Sequence, residues 1–399
     1  MKGSKIAVIG GGFSGLSTAC YLAKSGFEVH VFEQHTVTGG RGRYYSENGF
    51  TFDMGPSWYW MPDVFERFFN DFNRSLSSYY ELIRLDPGYR VFFENDHLDV
   101  AADLKLLYER FDAIEPGSST RLKAFLKEAQ YKYEVGVGNL VYKPGLRLNE
   151  LIDGALFKGL FKLDVFKSLS AHVRKLFKDP RLIQLLEFPV LFLGAKPQKT
   201  PALYSLMNYA DLVLGTWYPN GGMLKIGTSM TALAQELGVQ VHTQSAVKRI
   251  RIQNNRVTGV DLEKGPLDFD AVVSSADYEY TDRVLLGPEH RQYSQSYWSS
   301  RKMAPSSIIF YLGLNAPLPG VLHHNLFFDA PFDAHAHSIY DAPSWPKSPL
   351  FYLSCTSKTD PTTAPKEHEN CFVLIPVAPG LNSQTPDVNY YFNLVCERI

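Results

Sequence analysis

The sequence predicts an α/β protein: a Rossmann-like domain with a parallel sheet, built from discontinuous segments, and a second, α+β domain. The chain opens with a short apolar strand, a glycine-rich turn, an amphipathic helix and another strand, within residues 5–33. Strand-like segments return at 239–277, after a largely helical stretch at 142–217. The length of 399 residues also exceeds what one hydrophobic core usually serves.

These patterns set the expected domain boundaries. Residues 1–80 and 216–300 should form the first domain, because strand and turn signals return after the helical insertion. Residues 81–215 and 301–399 should form the second, beginning with a hairpin-like pattern after residue 82.

The turn after the first strand has the glycine spacing of a dinucleotide-binding loop. Gly10 lets the chain turn sharply off the strand, and Gly12 lets the backbone approach a pyrophosphate closely. Gly15 lets the next helix lie against the sheet without an intervening side chain. Because the turn stands between a strand and a helix, its context favours a nucleotide site over an ordinary glycine turn.

The following helix and an acid at the end of the second strand complete the pattern. The first helical turn, with Phe13 and Ser14, presents backbone amides and the positive helix end to the phosphates. Glu33 lies 18 positions after Gly15 (33 − 15), where a carboxylate can accept hydrogen bonds from two ribose hydroxyls. A carboxylate there repels a 2′-phosphate, so we expect an adenosine with a free ribose.

A second glycine pair, Gly39-Gly40, is followed by Arg41. This pattern resembles the flavoprotein family that includes amine oxidases and carotenoid desaturases, in which the pair lies along the FAD pyrophosphate and the arginine helps to neutralise it. An arginine fork suits phosphate oxygens, and glycines permit close contact. The alternative is a loop arginine in a surface salt bridge.

The segment 52–65, which contains Gly55, Pro56 and Ser57, closely resembles bacterial-type phytoene desaturases, which introduce double bonds into a colourless C40 polyene. The resemblance implies FAD as cofactor, these three residues at the cofactor, backbone around Val247 beside the adenine, and a hydrophobic polyene as substrate. It continues through 142–145, 186–189, 208–210, 215–223 and 323–328, and so covers nearly the whole chain.

The resemblance implies desaturation by hydride transfer to the flavin, in carotenoid biosynthesis. Other oxidoreductases of the same fold stay open: a C30 diapophytoene desaturase, a carotenoid isomerase, or an amine oxidase, which would need an aromatic cage for a cationic substrate. An inactive truncated fragment is a further alternative. Desaturases of this family carry another C-terminal segment that closes over the flavin, and we expect that this chain, ending at 393–399, lacks it.

The sequence names no catalytic side chain. It contains no nucleophile elbow, zinc motif or P-loop, so the chemistry is assigned to the cofactor. Asp211, Glu187 and His172 lie in the substrate half, but their spacing favours none of them as a proton acceptor. Four histidines could suggest a metal site: His323, His324, His335 and His337. We do not expect one, because no carboxylate or cysteine shares a helical register with them.

Composition limits the partners and the compartment. A net charge of -1 and a pI of about 6.8 give no basic balance that points to nucleic acid. The four cysteines have no short paired spacing, which predicts neither a zinc site nor a disulfide framework and favours a reducing cytoplasm. There is no leader-like segment and no apolar run long enough to span a bilayer. Aromatic residues, at 14%, could line a tunnel for a long apolar substrate.

One basic, aromatic-rich stretch, 155–178, predicts a peripheral membrane contact. Phe157, Phe161, Leu169 and Val173 could share an apolar face flanked by lysines and arginine, a pattern typical of helices that lie on anionic membranes. The alternative is a domain helix packed on its neighbours with a solvated lysine face. A lipid-soluble substrate favours the membrane interpretation.

Overall fold

The computed structural model describes residues 3–143, 163–381 and 387–399. They form two compact units, the first from residues 1–83 and 218–302 and the second from residues 84–217 and 303–399. The chain therefore passes between the units three times. The crossings lie three, two and two residues beyond the expected boundaries at 80, 215 and 300.

The elements are numbered in chain order. The strands are β1 (Lys5–Ile9), β2 (Glu28–Phe32), β3 (Tyr44–Glu47), β4 (Phe50–Asp53), β5 (Leu82–Arg84), β6 (Tyr89–Phe92), β7 (His97–Val100), β8 (Trp217–Pro219), β9 (Gln240–His242), β10 (Val247–Gln253), β11 (Arg256–Leu262), β12 (Gly265–Asp268), β13 (Ala271–Ser274), β14 (Ser306–Leu314), β15 (His324–Phe327), β16 (Phe351–Ser354) and β17 (Glu369–Val377). The helices are α1 (Phe13–Lys24), α2 (Pro62–Asn70), α3 (Leu104–Ile114), α4 (Ser118–Gly136), α5 (Leu169–Leu176), α6 (Pro180–Glu187), α7 (Leu206–Leu212), α8 (Leu224–Glu236), α9 (Tyr278–Tyr280), α10 (Gln295–Ser299), α11 (Phe332–Tyr340) and α12 (Val388–Cys396).

The first unit is built on a four-stranded parallel sheet in the order β13-β1-β2-β9. Its central strands are almost entirely buried, as expected for short apolar strands covered on both faces. Ile9 pairs with Phe32 on one side and with Ser274 on the other, so these strands end at the same edge. The residues that follow them, at 10, 33 and 275, are thereby brought close together.

A smaller antiparallel sheet, β10-β11-β12, packs against the parallel sheet in the first unit. Ile9 and Phe32 share one apolar cluster with Val247, Ile250 and Val260. The structure thus confirms an α/β class in which a parallel sheet is assembled from separated segments.

The second unit contains a six-stranded mixed sheet in the order β14-β17-β16-β15-β6-β7. The pairing is antiparallel except between β15 and β6. One face carries Phe351, Val373 and Ile375 and is covered by Tyr391 and Val395 of α12. The helices α3 to α7 and α11 also belong to this unit.

The stretch expected to contact membranes is only partly described, because residues 155–162 lie outside the described ranges. After a turn at 163–166, α5 starts at Leu169 with the Ser168 hydroxyl accepting from the Ala171 amide. Leu169 and Val173 are fully buried, so this part of the predicted apolar face packs into the protein core. Phe166, in contrast, is 92% exposed. Within the described residues, no helix combines the length and apolarity needed to cross a bilayer.

Candidate nucleotide-binding site

The first glycine turn has the close packing that its spacing predicts. Gly10 has φ of +97°, and its amide donates to the Phe32 carbonyl at 2.8 Å, which ties the turn to the end of β2. A Cβ on Gly15 would lie 2.0 Å from the Gly10 carbonyl oxygen. Only glycine therefore fits where α1 crosses the strand end.

The second glycine pair lies directly against the first. Gly39 donates its amide to the Gly11 carbonyl at 2.8 Å. Gly40 has φ of +60°, and a Cβ on it would lie 3.1 Å from the Gly12 Cα. The two loops therefore meet backbone to backbone, which leaves room for a phosphate chain to approach both.

The N-terminus of α1 opens at this junction. Gly12 is the N-cap residue and supplies no side-chain cap, and the first turn carries no acidic residue. The amides of Phe13, Ser14 and Gly15 have no acceptor within the helix, as in any first turn. The Ser14 hydroxyl contacts the Ser275 hydroxyl in the loop after β13. This end of the helix is thus suited to an anion.

Glu33 is buried at the tip of β2, 4% exposed. Its Oε2 accepts from the Gly11 amide and its Oε1 from the His35 amide, both at 2.9 Å. Each carboxylate oxygen can accept more than one hydrogen bond, so the group is held in place with acceptor capacity left for a ribose.

The chain that enters β10 runs beside Glu33. The Ser245 amide donates to the Glu33 carbonyl at 2.8 Å. Val247, two residues later, is buried and pairs with Leu262. Backbone around Val247 thus lies near the predicted ribose site, and its contact with adenine stays a prediction.

Arg41 and Gly55 meet because β3 and β4 form a hairpin between them. Tyr44 pairs with Asp53, and a Cβ on Gly55 would lie 2.4 Å from the Arg41 carbonyl oxygen. The Arg41 side chain is exposed, as is Pro56, whereas Ser57 is buried. The roles of these residues at a cofactor stay predictions.

A supporting contact at this site was missed by the sequence reasoning. Asp53 Oδ1 accepts from the Met223 amide at 2.9 Å, just before α8 begins. Gly222, with φ of +87°, passes so close that a Cβ would lie 3.0 Å from the same oxygen. A Cβ on Gly227 of α8 would lie 2.5 Å from the Gly39 Cα. The Gly221-Gly222 pair before a helix could have indicated a close backbone contact there. Nothing in the sequence, however, connects this pair to Asp53.

The three acid–base candidates occupy different surroundings within the second unit. Glu187 is buried and paired with Arg174, with oxygen–nitrogen distances of 3.1 and 3.3 Å. Burial, with the Lys132 and Lys167 ammonium groups, lowers the pKa of His172.

Asp211 differs from both, because none of its contacts among the described residues is an ion pair. Burial raises the pKa of Asp211 to about 7, against the opposing hydrogen bonds from Tyr89 and Thr216. The Tyr89 hydroxyl donates to Asp211 Oδ2 at 2.7 Å. This carboxyl is therefore placed to take up and release a proton near neutral pH.

The four histidines that could suggest a metal site contact protein groups instead. His323 Nδ1 lies 2.7 Å from the Thr359 hydroxyl, and burial lowers the pKa of His323 to about 3. His324 Nδ1 lies 2.7 Å from the Tyr352 hydroxyl. His335 contacts the Pro376 carbonyl and the Leu350 amide, and the exposed His337 contacts Asp341.

Glu128, Asp164 and His172 form a separate group whose ligand atoms lie within 4.8 Å of one another. The ammonium of Lys132 contacts Asp164 at 2.9 Å, and that of Lys167 contacts His172 Nδ1 at 3.1 Å. Two positive groups therefore lie beside this group of residues, and their charge disfavours a cation there.

A parallel sheet, two abutting glycine loops and a buried acid at the second strand define a dinucleotide-binding flavoprotein. The residues fit the adenosine diphosphate half of FAD. The glycine loops leave space that a Cβ would fill, the first turn of α1 carries no acidic residue, and the carboxylate of Glu33 is held in place by a backbone amide.

Comparisons with known proteins identify the family. The family model for flavin containing amine oxidoreductases, which describes the family's sequences, matches residues 13–380. A carotenoid 3,4-desaturase of Haloarcula japonica is 38% identical over 96% of this chain and 78% of its own length. A zeta-carotene-forming phytoene desaturase of Myxococcus xanthus is 33% identical over 98% of this chain and 74% of its own length.

Solved structures agree on the fold. An oxidoreductase from Methanosarcina mazei superposes with a TM-score of 0.63 at 19% identity, covering 99% of this chain and 82% of that one. The chain belongs to the flavin-containing amine oxidoreductase family, and within it to the carotenoid desaturases. It is an FAD-dependent oxidoreductase that acts on CH–CH bonds.

Proposed function

We propose that this protein desaturates an acyclic carotenoid precursor, converting phytoene to lycopene-type products. The observation that carries the proposal is similarity to carotenoid and phytoene desaturases at 33–38% identity over at least 96% of the chain. The site supports it, because its residues fit FAD rather than a phosphorylated nicotinamide cofactor.

Several residues of the first unit would hold FAD. The first-turn amides of α1 and the Arg41 guanidinium would bind the pyrophosphate, and Glu33 would bind the ribose. When bound, the flavin supplies the acceptor for the hydride removed from the polyene. The protein contributes binding, alignment and exclusion of water.

We propose Asp211 as the first residue to test as proton acceptor, because its carboxyl is buried and its pKa is about 7. Asp211→Asn should keep the hydrogen bond from Tyr89 yet remove the titrating group. If Asp211 accepts the proton, kcat should fall about 100-fold with KM and flavin content little changed. Unchanged kcat would exclude this role.

A second candidate is desaturation at the 3,4 position, favoured by the 38% identity to the Haloarcula enzyme. Both candidates use the same cofactor chemistry and differ in the carbon–carbon bond presented to it. The substrate panel below therefore separates them, and it also includes a C30 precursor.

We also propose that the protein works at the cytoplasmic membrane surface as a peripheral protein. A C40 polyene partitions into bilayers, and residues 155–178 are rich in basic and aromatic side chains. Co-sedimentation with anionic vesicles, but not with neutral ones, is the expected result. Equal recovery in the supernatant with both vesicles would contradict it.

Product analysis tests the function directly. The chain is expressed in cells that make phytoene, diapophytoene or lycopene, and extracts are analysed by chromatography and absorption spectra. Conjugated C40 products from phytoene support the main proposal, and further desaturation of lycopene alone supports the second. A Glu33→Ala variant, lacking the ribose acceptor, is the matched control.

A yellow, FAD-containing protein that converts none of these polyenes would overturn both candidates. Purified protein without flavin absorbance, even after incubation with FAD, would instead favour the inactive fragment.

A further inference from the structure

Two of the four cysteines are brought together by strand register. In the antiparallel pair β16–β17, Leu353 pairs with Val373 and Ser354 with Phe372. One more step along the same register sets Cys355 opposite Cys371. Both side chains belong to the same buried cluster.

This arrangement meets the geometric requirement for a disulfide. Directly opposed residues in antiparallel strands have Cα atoms about 4.5–5.5 Å apart. Disulfides bridge Cα separations of about 4.4–6.8 Å. The two residues could therefore be joined with little movement of the backbone.

The surroundings distinguish the two sulfurs. Both residues are buried, at 0% and 1% exposure. The Cys355 Sγ lies 3.5 Å from the Ser357 hydroxyl and 3.8 Å from Glu369 Oε2, and Glu369 is paired with Lys358.

The closeness of the two thiols moves their pKa values in opposite directions. Cys371 lowers the pKa of Cys355, with help from Ser357 and Lys358 and against burial and the Glu369 carboxylate. The same closeness, together with burial, raises the pKa of Cys371. Cys355 is therefore the better nucleophile of the pair.

We propose that Cys355 and Cys371 form an oxidative modification site, a dithiol–disulfide couple that takes two-electron oxidants of the peroxide class. The Cys355 thiolate attacks one peroxide oxygen, the O–O bond breaks, and Cys355 becomes a sulfenic acid as hydroxide leaves. The Cys371 sulfur then attacks the Cys355 sulfur, and the sulfenic oxygen leaves as water with the Cys371 proton. Two thiols and one hydrogen peroxide give one disulfide and two waters.

The bond would close the loop of 15 residues between these cysteines (371 − 355 − 1), tying the end of β16 to β17. Oxidation of this pair does not depend on the substrate of the flavin site. Cys20, which is buried, and Cys396, which is exposed, take no part in it.

The test uses hydrogen peroxide on the purified chain of 399 residues. Exposed Cys396 is first blocked with N-ethylmaleimide in the native state, which makes a variant unnecessary. After peroxide and acid quenching, remaining thiols are alkylated in denaturant and counted by mass spectrometry. We expect the free thiols to fall from three to one, with loss of two hydrogens and a peptide cross-link between Cys355 and Cys371. A thiol reductant should restore all three.

Matched variants identify the attacking sulfur. Cys371→Ser should stop at a Cys355 sulfenic acid that dimedone traps, whereas Cys355→Ser should give neither the cross-link nor a comparable adduct. Three thiols remaining after a tenfold excess of peroxide, a cross-link to Cys20, or over-oxidation without a cross-link would each overturn the proposal.

Discussion

Gly15 shows how one missing side chain sets the position of a helix. A Cβ there would overlap the Gly10 carbonyl oxygen, so Gly15→Ala must displace α1 or distort the turn. We expect a loss of about 3 kcal/mol in the free energy of unfolding of the first unit, and FAD affinity lowered at least 100-fold. Equilibrium unfolding and titration of the apoprotein with FAD measure both quantities.

Gly88→Ala is the matched control, because a Cβ on Gly88 would make only ordinary contacts, from 3.6 Å to Thr216. It should leave FAD affinity unchanged. Equal loss of affinity in both variants would show that the effect is general destabilisation.

Because of Asp211, we expect the free energy of unfolding to depend on pH. Burial raises the pKa of its carboxyl to about 7, well above the unfolded value of about 3.9. The folded state therefore binds the proton more tightly, and the stability this provides is complete below pH 4 and is lost as pH rises through 7. Asp211→Asn should reduce the decline in unfolding free energy between pH 5 and pH 8 by about 2 kcal/mol.

Denaturant unfolding at the two pH values tests this, with Asp179→Asn as the control. Arg181 lowers the pKa of Asp179, so that carboxylate is ionised at both pH values and its loss should shift both results equally. A slope unchanged in Asp211→Asn would contradict the prediction.

Residues in a local pattern could be predicted, whereas residues that meet through tertiary pairing could not. The glycine turn and Glu33 depend on spacing within one strand–helix–strand unit, and the structure places Gly10, Gly15 and Glu33 at one sheet edge. Cys355 and Cys371 meet only because β16 pairs with β17 in one particular register. Nothing in a list of sequence spacings distinguishes that register from its neighbours.

At the scale of elements, one carboxylate fixes where α8 starts. Asp53 at the end of β4 accepts from the Met223 amide, and α8 in turn packs on Gly39. Asp53→Ala should cost about 1 kcal/mol in stability and also weaken FAD binding several-fold, because the second glycine loop loses its support.

Asp103→Ala offers a control of the same kind in the other unit. Asp103 caps α3 by accepting from the Lys105 and Leu106 amides, at 2.7 and 3.1 Å. Asp103→Ala should lower the free energy of unfolding about as much as Asp53→Ala does, without changing FAD affinity. If both variants bind FAD equally well, α8 does not support the site.

Element types were easier to predict than their ends and partners. Pro116 is a plain signal for a break between helices, but it does not fix their ends: α3 ends at Ile114, and α4 begins at Ser118, after Gly117 with φ of +77°. The mixed pairing of the second sheet, with β15 parallel to β6, joins segments more than 230 residues apart (324 − 92 = 232). Periodicity reports which face of a strand is buried, not which strand lies beside it.

At the scale of the whole molecule, the cofactor should stabilise the two units unequally. All residues predicted to bind FAD belong to the first unit. Removing FAD present at 100 times its Kd should lower that unit's stability by about 2.7 kcal/mol. Hydrogen exchange should therefore accelerate in β1, β2 and β13, while amides of β16 and β17 keep their protection. Equal loss of protection in both units would contradict this.

The threefold crossing of the chain has a consequence for synthesis on the ribosome. β1 needs β13 as a neighbour, yet the 134 residues of the intervening segment (217 − 83) are translated before the first unit resumes. β13 begins 261 residues after β1 ends (271 − 9 − 1), so at about 5–20 residues per second one edge of β1 has no strand to pair with for roughly 13–52 s. Nascent chains should recruit chaperones within this interval, and slower elongation there should reduce the yield of folded enzyme.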